Sequence, residues 1–138
     1  MVEYLLFLKQ QPDWTERDAL CSIAYDEIHL NPFAQFDTKN QRCVGAHKAA
    51  TLVMIRGLVS KKAWKFPLKT KFDYSIDQND YIELVTKLFQ MGFTVKLSVC
   101  DMGSKNIALA NENNFNITKE KPWIPHPCDS NQKAKLKL

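Results

Sequence analysis

The chain has 138 residues, the length of one domain. Its 45% hydrophobic and 25% charged residues are those of an ordinary globular protein, which excludes intrinsic disorder, collagen and coiled coil as descriptions of the whole. Nineteen basic against fifteen acidic side chains leave a net charge of +4, too mild to name a partner by itself.

In chain order, residues 1–14 read as an amino-terminal lead-in. Glu3 stands where a signal peptide carries a base, and the longest apolar runs, such as Leu52 to Ile55, fall far short of a membrane span. A soluble intracellular protein with no membrane contact is therefore expected. Thr15 followed by Asp18 resembles the start of a helical turn, a hydroxyl cap with an acid three residues on. Residues 20–30 read as a strand, apolar enough in its first half to be covered on both faces and stopped by Asn31-Pro32. Residues 36–46 suggest a ribbon with Thr38 to Gln41 at its tip. Residues 49–58 form a second buried strand. Residues 64–74 form a third, antiparallel to it, with Pro67 marking an edge or a bulge.

The clearest element follows. Asp77 can cap a helix in which Tyr81, Ile82, Val85, Leu88 and Phe89 recur at three- and four-residue steps, and Gly92 sits where a left-handed C′ residue belongs. Residues 94–101 alternate as a strand that ends at Asp101, and Gly103-Ser104 opens a short helix over 105–112. Beyond Pro122, Pro125 and Pro127, residues 128–138 read as a basic tail. A helix between strands of one sheet favours a parallel crossover. The expected fold is α/β, with a mixed sheet made of an antiparallel meander and a parallel strand.

Two acids stand out chemically. Asp26 lies in an apolar strand, and Asp101 ends another. A buried acid costs several kcal/mol, on the order of the effective penalty for an unpaired ion, unless it is paired or binds a cation. If the two strands are neighbours, both acids face one site, and two close carboxylates suit Mg²⁺ or Mn²⁺ and phosphoryl chemistry. The plainer alternatives are that Asp101 caps the turn at Gly103-Ser104 and that Asp26 pairs with a lysine. Lys61, Lys62, Lys65, Lys69 and Lys71 form a stretch free of acids. It is read either as a solvated loop or as a phosphate-backbone contact, with Trp64 and Phe66 interleaved. Cys21, Cys43, Cys100 and Cys128 include no CxxC pair, so buried thiols and surface imidazoles are preferred over a zinc site.

Several segments together resemble the ribonuclease-H-like catalytic domain of P element transposases and their THAP-domain relatives. They are Tyr25-Asp26-Glu27, Phe36-Asp37, Val44-Gly45, Leu52 through Leu58, Trp64-Lys65 with Pro67, the helix ending at Gly92, and His126-Pro127. The stretch Asp101-Met102-Gly103-Ser104-Lys105-Asn106 matches an Asp-x-Gly-x-x-Asn pattern. Their order and spacing carry the resemblance, over residues 15–127. It implies a nuclear DNA transposase domain in which two Asp and a later Glu hold two Mg²⁺ or Mn²⁺ ions. Asp26 and Asp101 would be the first two catalytic, metal-binding acids. DNA would be the partner, with Lys61, Lys62, Lys65, Lys69 and Lys71 as its candidate contacts. Glu27 matches the family motif too, but alternation sets it on the opposite face from Asp26.

The family pattern continues past His126-Pro127 with an apolar strand and a later acid, and here the sequence reads differently. The guanine-nucleotide-binding insertion, a THAP zinc module and a leucine zipper also have no counterpart. The expectation is the front part of a catalytic domain with two of three acids, inactive alone. Any oligomer would form through segments outside residues 1–138. The alternative is a domesticated, non-catalytic DNA- or protein-binding domain, or the product of a decayed transposon.

Overall fold

The fold is taken from a computed structural model that describes residues 2–31, 35–45, 47–59, 64–101, 103–111 and 115–137. In chain order the elements are helix α1 (Val2–Lys9), a 3₁₀ turn (Glu16–Ala19), and strands β1 (Leu20–His29), β2 (Gln35–Asp37), β3 (Arg42–Val44), β4 (Ala49–Gly57) and β5 (Lys65–Phe72). Helix α2 (Gln78–Gln90), strand β6 (Thr94–Val99), helix α3 (Ser104–Asn111) and strands β7 (Trp123–His126) and β8 (Asp129–Lys137) follow. None of the described helices is long and apolar enough to cross a membrane.

Six strands form one mixed sheet in the order β5-β4-β1-β6-β8-β7, and β2 and β3 make a separate ribbon. β1, β4 and β5 are the expected antiparallel meander, and β6 lies parallel to β1 on its other side. Pro67 sits at the shift in register between β4 and β5, on an edge strand, so it meets both conditions under which a sheet tolerates proline. The α2 signals also hold. Asp77 accepts a hydrogen bond from the Asp80 amide at 2.8 Å, and Gly92 takes φ +82° just past the helix end. Lys9 of α1 donates to the Met91 carbonyl at 3.0 Å and so helps to close that end.

One core lies on one face of the sheet. Cys21, Ile23 and Tyr25 of β1, Val53 and Ile55 of β4 and Val95 of β6 meet Tyr81, Leu84, Val85 and Leu88 of α2, Leu5 of α1 and Leu109 of α3. At one end, Trp14, Trp64 and Phe93 pack ring against ring with centroids 5.6–6.2 Å apart. The other face differs from expectation. Ala24, Asp26 and Ile28 of β1 and Val99 of β6 are exposed, so β1 is covered on one face only. The apolar run in β1 arises because this open face also carries Ala24 and Ile28, which hides the period-two alternation.

Two further differences concern the ends. Residues 1–14 are more than a lead-in, since α1 places Leu5 in the core with no exposure. The stretch read as a basic tail supplies β8, which pairs parallel with β6 and antiparallel with β7. Its Lys/Leu alternation has the strand period of two, and a run of lysines there looked like a solvated end. His126, expected as a surface imidazole, is 2% exposed and packs on Phe89 at 5.0 Å. Burial chiefly, and the Lys96 charge next, lower its pKa.

Candidate active site

The parallel pairing of β1 and β6 sets the site. Ala24 lies opposite Val99, and two residues further along the two chains come Asp26 and Asp101. Both side chains are exposed and both line one cleft at this end of the sheet. Glu27, His29, Thr51, Ser75, Lys105 and Asn106 line it with them. Asp26 is therefore no buried acid. It stands on the open face of β1, where water meets its charge without the desolvation cost that first drew attention to it.

Each carboxylate has one oxygen anchored. Asp26 Oδ1 accepts from the Glu27 amide at 2.8 Å. Asp101 Oδ1 accepts from the Gly103 amide at 3.0 Å and from Asn106 Nδ2 at 2.7 Å. Among the described residues no hydrogen bond reaches either Oδ2. The turn role considered for Asp101 is thus real, yet it occupies a single oxygen. Asp26 has no lysine partner among the described residues; Glu27 has one, Lys105 of α3, at 2.6 Å. Alternation sets Glu27 on the face of β1 opposite Asp26 and its ion-pair partner lies on α3, although both acids border the cleft.

Tyr25 lines the cleft, and Cys100 lines an adjoining pocket with Tyr25, Asp26 and Asp101. Burial first, and the Cys100 thiol beside it, push the Tyr25 phenol well above its ordinary range. Burial also raises the Cys100 thiol, and the charges of Asp101 and Asp26 raise it further, while its hydrogen bond with Tyr25 works the other way. That one thiol feels both carboxylates follows from their common location. Among the described residues no group of three or more His, Cys, Asp or Glu gathers as a metal site.

The lysine stretch does not form one face. Lys61 and Lys62 lie outside the described residues. Lys65 is exposed on the edge strand β5. Lys69 and Lys71 both turn to Asp80 of α2, the first at 2.8 Å. Trp64 is a core residue, and Phe66 stacks on Tyr4 at 4.7 Å. Sequence reasoning did not single out Lys105 or His29 as cleft residues. A lone base in a short helix and a lone imidazole at a strand end carry no signal until the strands are aligned. Asn106 had one, its place in the Asp-x-Gly-x-x-Asn pattern.

The chain is 30% identical over 118 residues to the transposable element P transposase of Drosophila melanogaster. It also matches a chain of the Drosophila P element transposase strand transfer complex with a TM-score of 0.81 and 28% identity over 96% of its length. The chain is similar to a part of the P element transposase. Its mixed sheet with flanking helices is the ribonuclease-H-like fold of that protein. The match takes in 86% of this chain but 15% of the curated transposase, and 29% of the solved transposase chain. No family model matches.

Proposed function

We propose that this chain is part of the catalytic domain of a P-element-type DNA transposase, in which Asp26 and Asp101 hold a divalent cation that acts on DNA phosphodiesters. The observation that carries the proposal is the convergence of these two acids on one cleft, Asp26 from within β1 and Asp101 from just beyond the parallel strand β6, in a chain similar to a transposase. The donors fit Mg²⁺ or Mn²⁺. They are hard carboxylate oxygens, open to the waters such ions keep, and each has an oxygen that no described residue occupies. A bound ion would supply Lewis-acid polarisation of a phosphoryl oxygen and a more acidic attacking hydroxyl. The chain's own residues bind and orient: Asp26 and Asp101 from adjacent strands, with Lys105 as a positive group at the rim. Lys61, Lys62 and Lys65 remain the candidate DNA contacts of the basic stretch, and Lys69 and Lys71 join them only if they leave Asp80.

Two carboxylates hold a second ion poorly, so this chain alone is expected to lack strand cleavage. The second reading, a non-catalytic DNA- or protein-binding domain, draws on the same count, since no third ligand joins the pair among the described residues.

Thermal melts in EDTA and in Mn²⁺ test the site. At an ion concentration 100 times the Kd, binding stabilises by about 2.7 kcal/mol, or about 5–10 °C in Tm. Mn²⁺ should raise the parent's Tm and leave Asp26→Asn and Asp101→Asn where EDTA leaves them. A rise shared by all three proteins, or by none, rejects the site. Nicking of supercoiled DNA by the parent in Mn²⁺, lost in Asp26→Asn, would show that the chain is active alone.

A further inference from the structure

We propose that Asn106 is a positioning residue for Asp101, and that Gly103 is glycine so that this positioning can occur. The inference rests on the reading of Asp26 and Asp101 as a cation site. Asp101 leaves the sheet just beyond β6, in a segment that could turn its carboxylate in several directions. Two donors remove that freedom. Gly103 gives its amide at 3.0 Å and Asn106 its Nδ2 at 2.7 Å, both to Oδ1. Oδ2 is left as the oxygen for a cation.

The donor is itself held. Asn106 is the third residue of α3, and its own amide donates to the Gly103 carbonyl at 3.0 Å. Its side chain therefore leans back from a fixed helical turn towards the residue that precedes the helix. The Gly103 carbonyl also accepts from Ile107 at 3.0 Å, so the glycine is the hinge between carboxylate and helix. A Cβ on Gly103 would stand 2.9 Å from Asp101 Oδ1 and 3.5 Å from Oδ2. The backbone there is not in the left-handed region, so an alanine would leave the main chain unstrained. What must give way is the end of the Asp101 side chain. Glycine at this position thus serves the carboxylate rather than the turn.

Groups that orient a metal ligand without touching the metal typically change affinity by about 10–100-fold when removed. The experiment is a Mn²⁺ titration of the whole chain, followed by loss of the free-ion paramagnetic resonance signal, with folding checked by circular dichroism in EDTA. Asn106→Leu keeps the number and branching of the side-chain heavy atoms, with somewhat greater bulk, and deletes the donor. Gly103→Ala keeps the donor and crowds the acceptor. Both should bind Mn²⁺ about tenfold or more weakly than the parent while keeping its helical signal, a combination that a purely structural role for Asn106 would not give. Parent-like affinity in both folded variants, with binding abolished in Asp26→Asn, overturns the inference and leaves the cation site standing. A parent that binds no Mn²⁺ dependent on Asp26 overturns both. Should Asn106→Leu lose its fold, the Gly103→Ala titration decides alone.

Discussion

Gly57 faces the indole of Trp64, and the pair shows how one missing side chain fixes a core. A Cβ on Gly57 would lie 2.4 Å from Trp64 Nε1, the atom that donates to the Asp18 carbonyl at 3.3 Å. The ring cannot retreat, since Trp14 and Phe93 pack on it at 6.2 and 5.6 Å. Gly57→Ala should destabilise the protein by about 1–3 kcal/mol through overpacking. It should lower the urea midpoint without changing the slope, as a change confined to the native state does. An unchanged midpoint would mean that the indole has a second seat. At this scale sequence reasoning found Asp26 for a reason the structure revises. An acid among apolar neighbours stood out, but those neighbours divide between a packed face and an open one. Asp101 was legible from its place at a strand end before a glycine. The partners that hold it needed the turn to be seen.

Among the elements, β5 and α2 are joined by one acid. Asp80, in the first turn of α2, takes both Lys69 and Lys71 of the edge strand, and its side chain is 13% exposed. Burial pushes its carboxyl up, but the two lysines and the Asp77 amide outweigh that and bring it down to about 2. The unfolded value is about 3.9, so the folded state binds the proton less well. The contribution is therefore complete above about pH 4 and disappears as pH falls towards 2. Discounted for solvent around the lysine ends, it is about 1–2 kcal/mol. Asp80→Asn should lose that amount at pH 7 in denaturant titrations, and its curve should meet the parent's near pH 2. A constant gap across that range would place the effect in the helix cap instead. The contrast between α2 and the ends of the chain explains what was readable. Cap, periodicity and terminal glycine coincide in α2, each with a local cause. β8 depends on β6, about forty residues earlier, and β7 is an edge strand that pairs with β8 alone; prolines and lysines mask the local signal of both.

For the whole molecule, the antiparallel meander and the parallel crossover were legible, and the last two strands of the sheet and the charge distribution were not. The acid-free run from Lys61 to Lys71 suggested a basic strip, yet the fold commits two of its five lysines to Asp80. On the proposed DNA-acting role this changes the expected electrostatics. Each lysine that meets a phosphate releases about 0.9 counterion, so Lys61, Lys62 and Lys65 together give a slope of log K against log salt of about −3. All five would give about −4 to −5. The two cases are separated by Asp80→Asn, which removes the charge that holds Lys69 and Lys71 without removing any lysine. Titration of duplex DNA at several salt concentrations should show weak, sequence-independent binding by the parent. The variant should bind more tightly at low salt, with a slope steeper by up to about 2. Equal slopes would mean that Lys69 and Lys71 stay turned towards α2 even when freed. DNA would then meet the edge strand only through the lysines at its start. Absence of binding by either protein at low salt would remove the basic strip from the proposal and leave the carboxylate cleft to be judged by its metal alone.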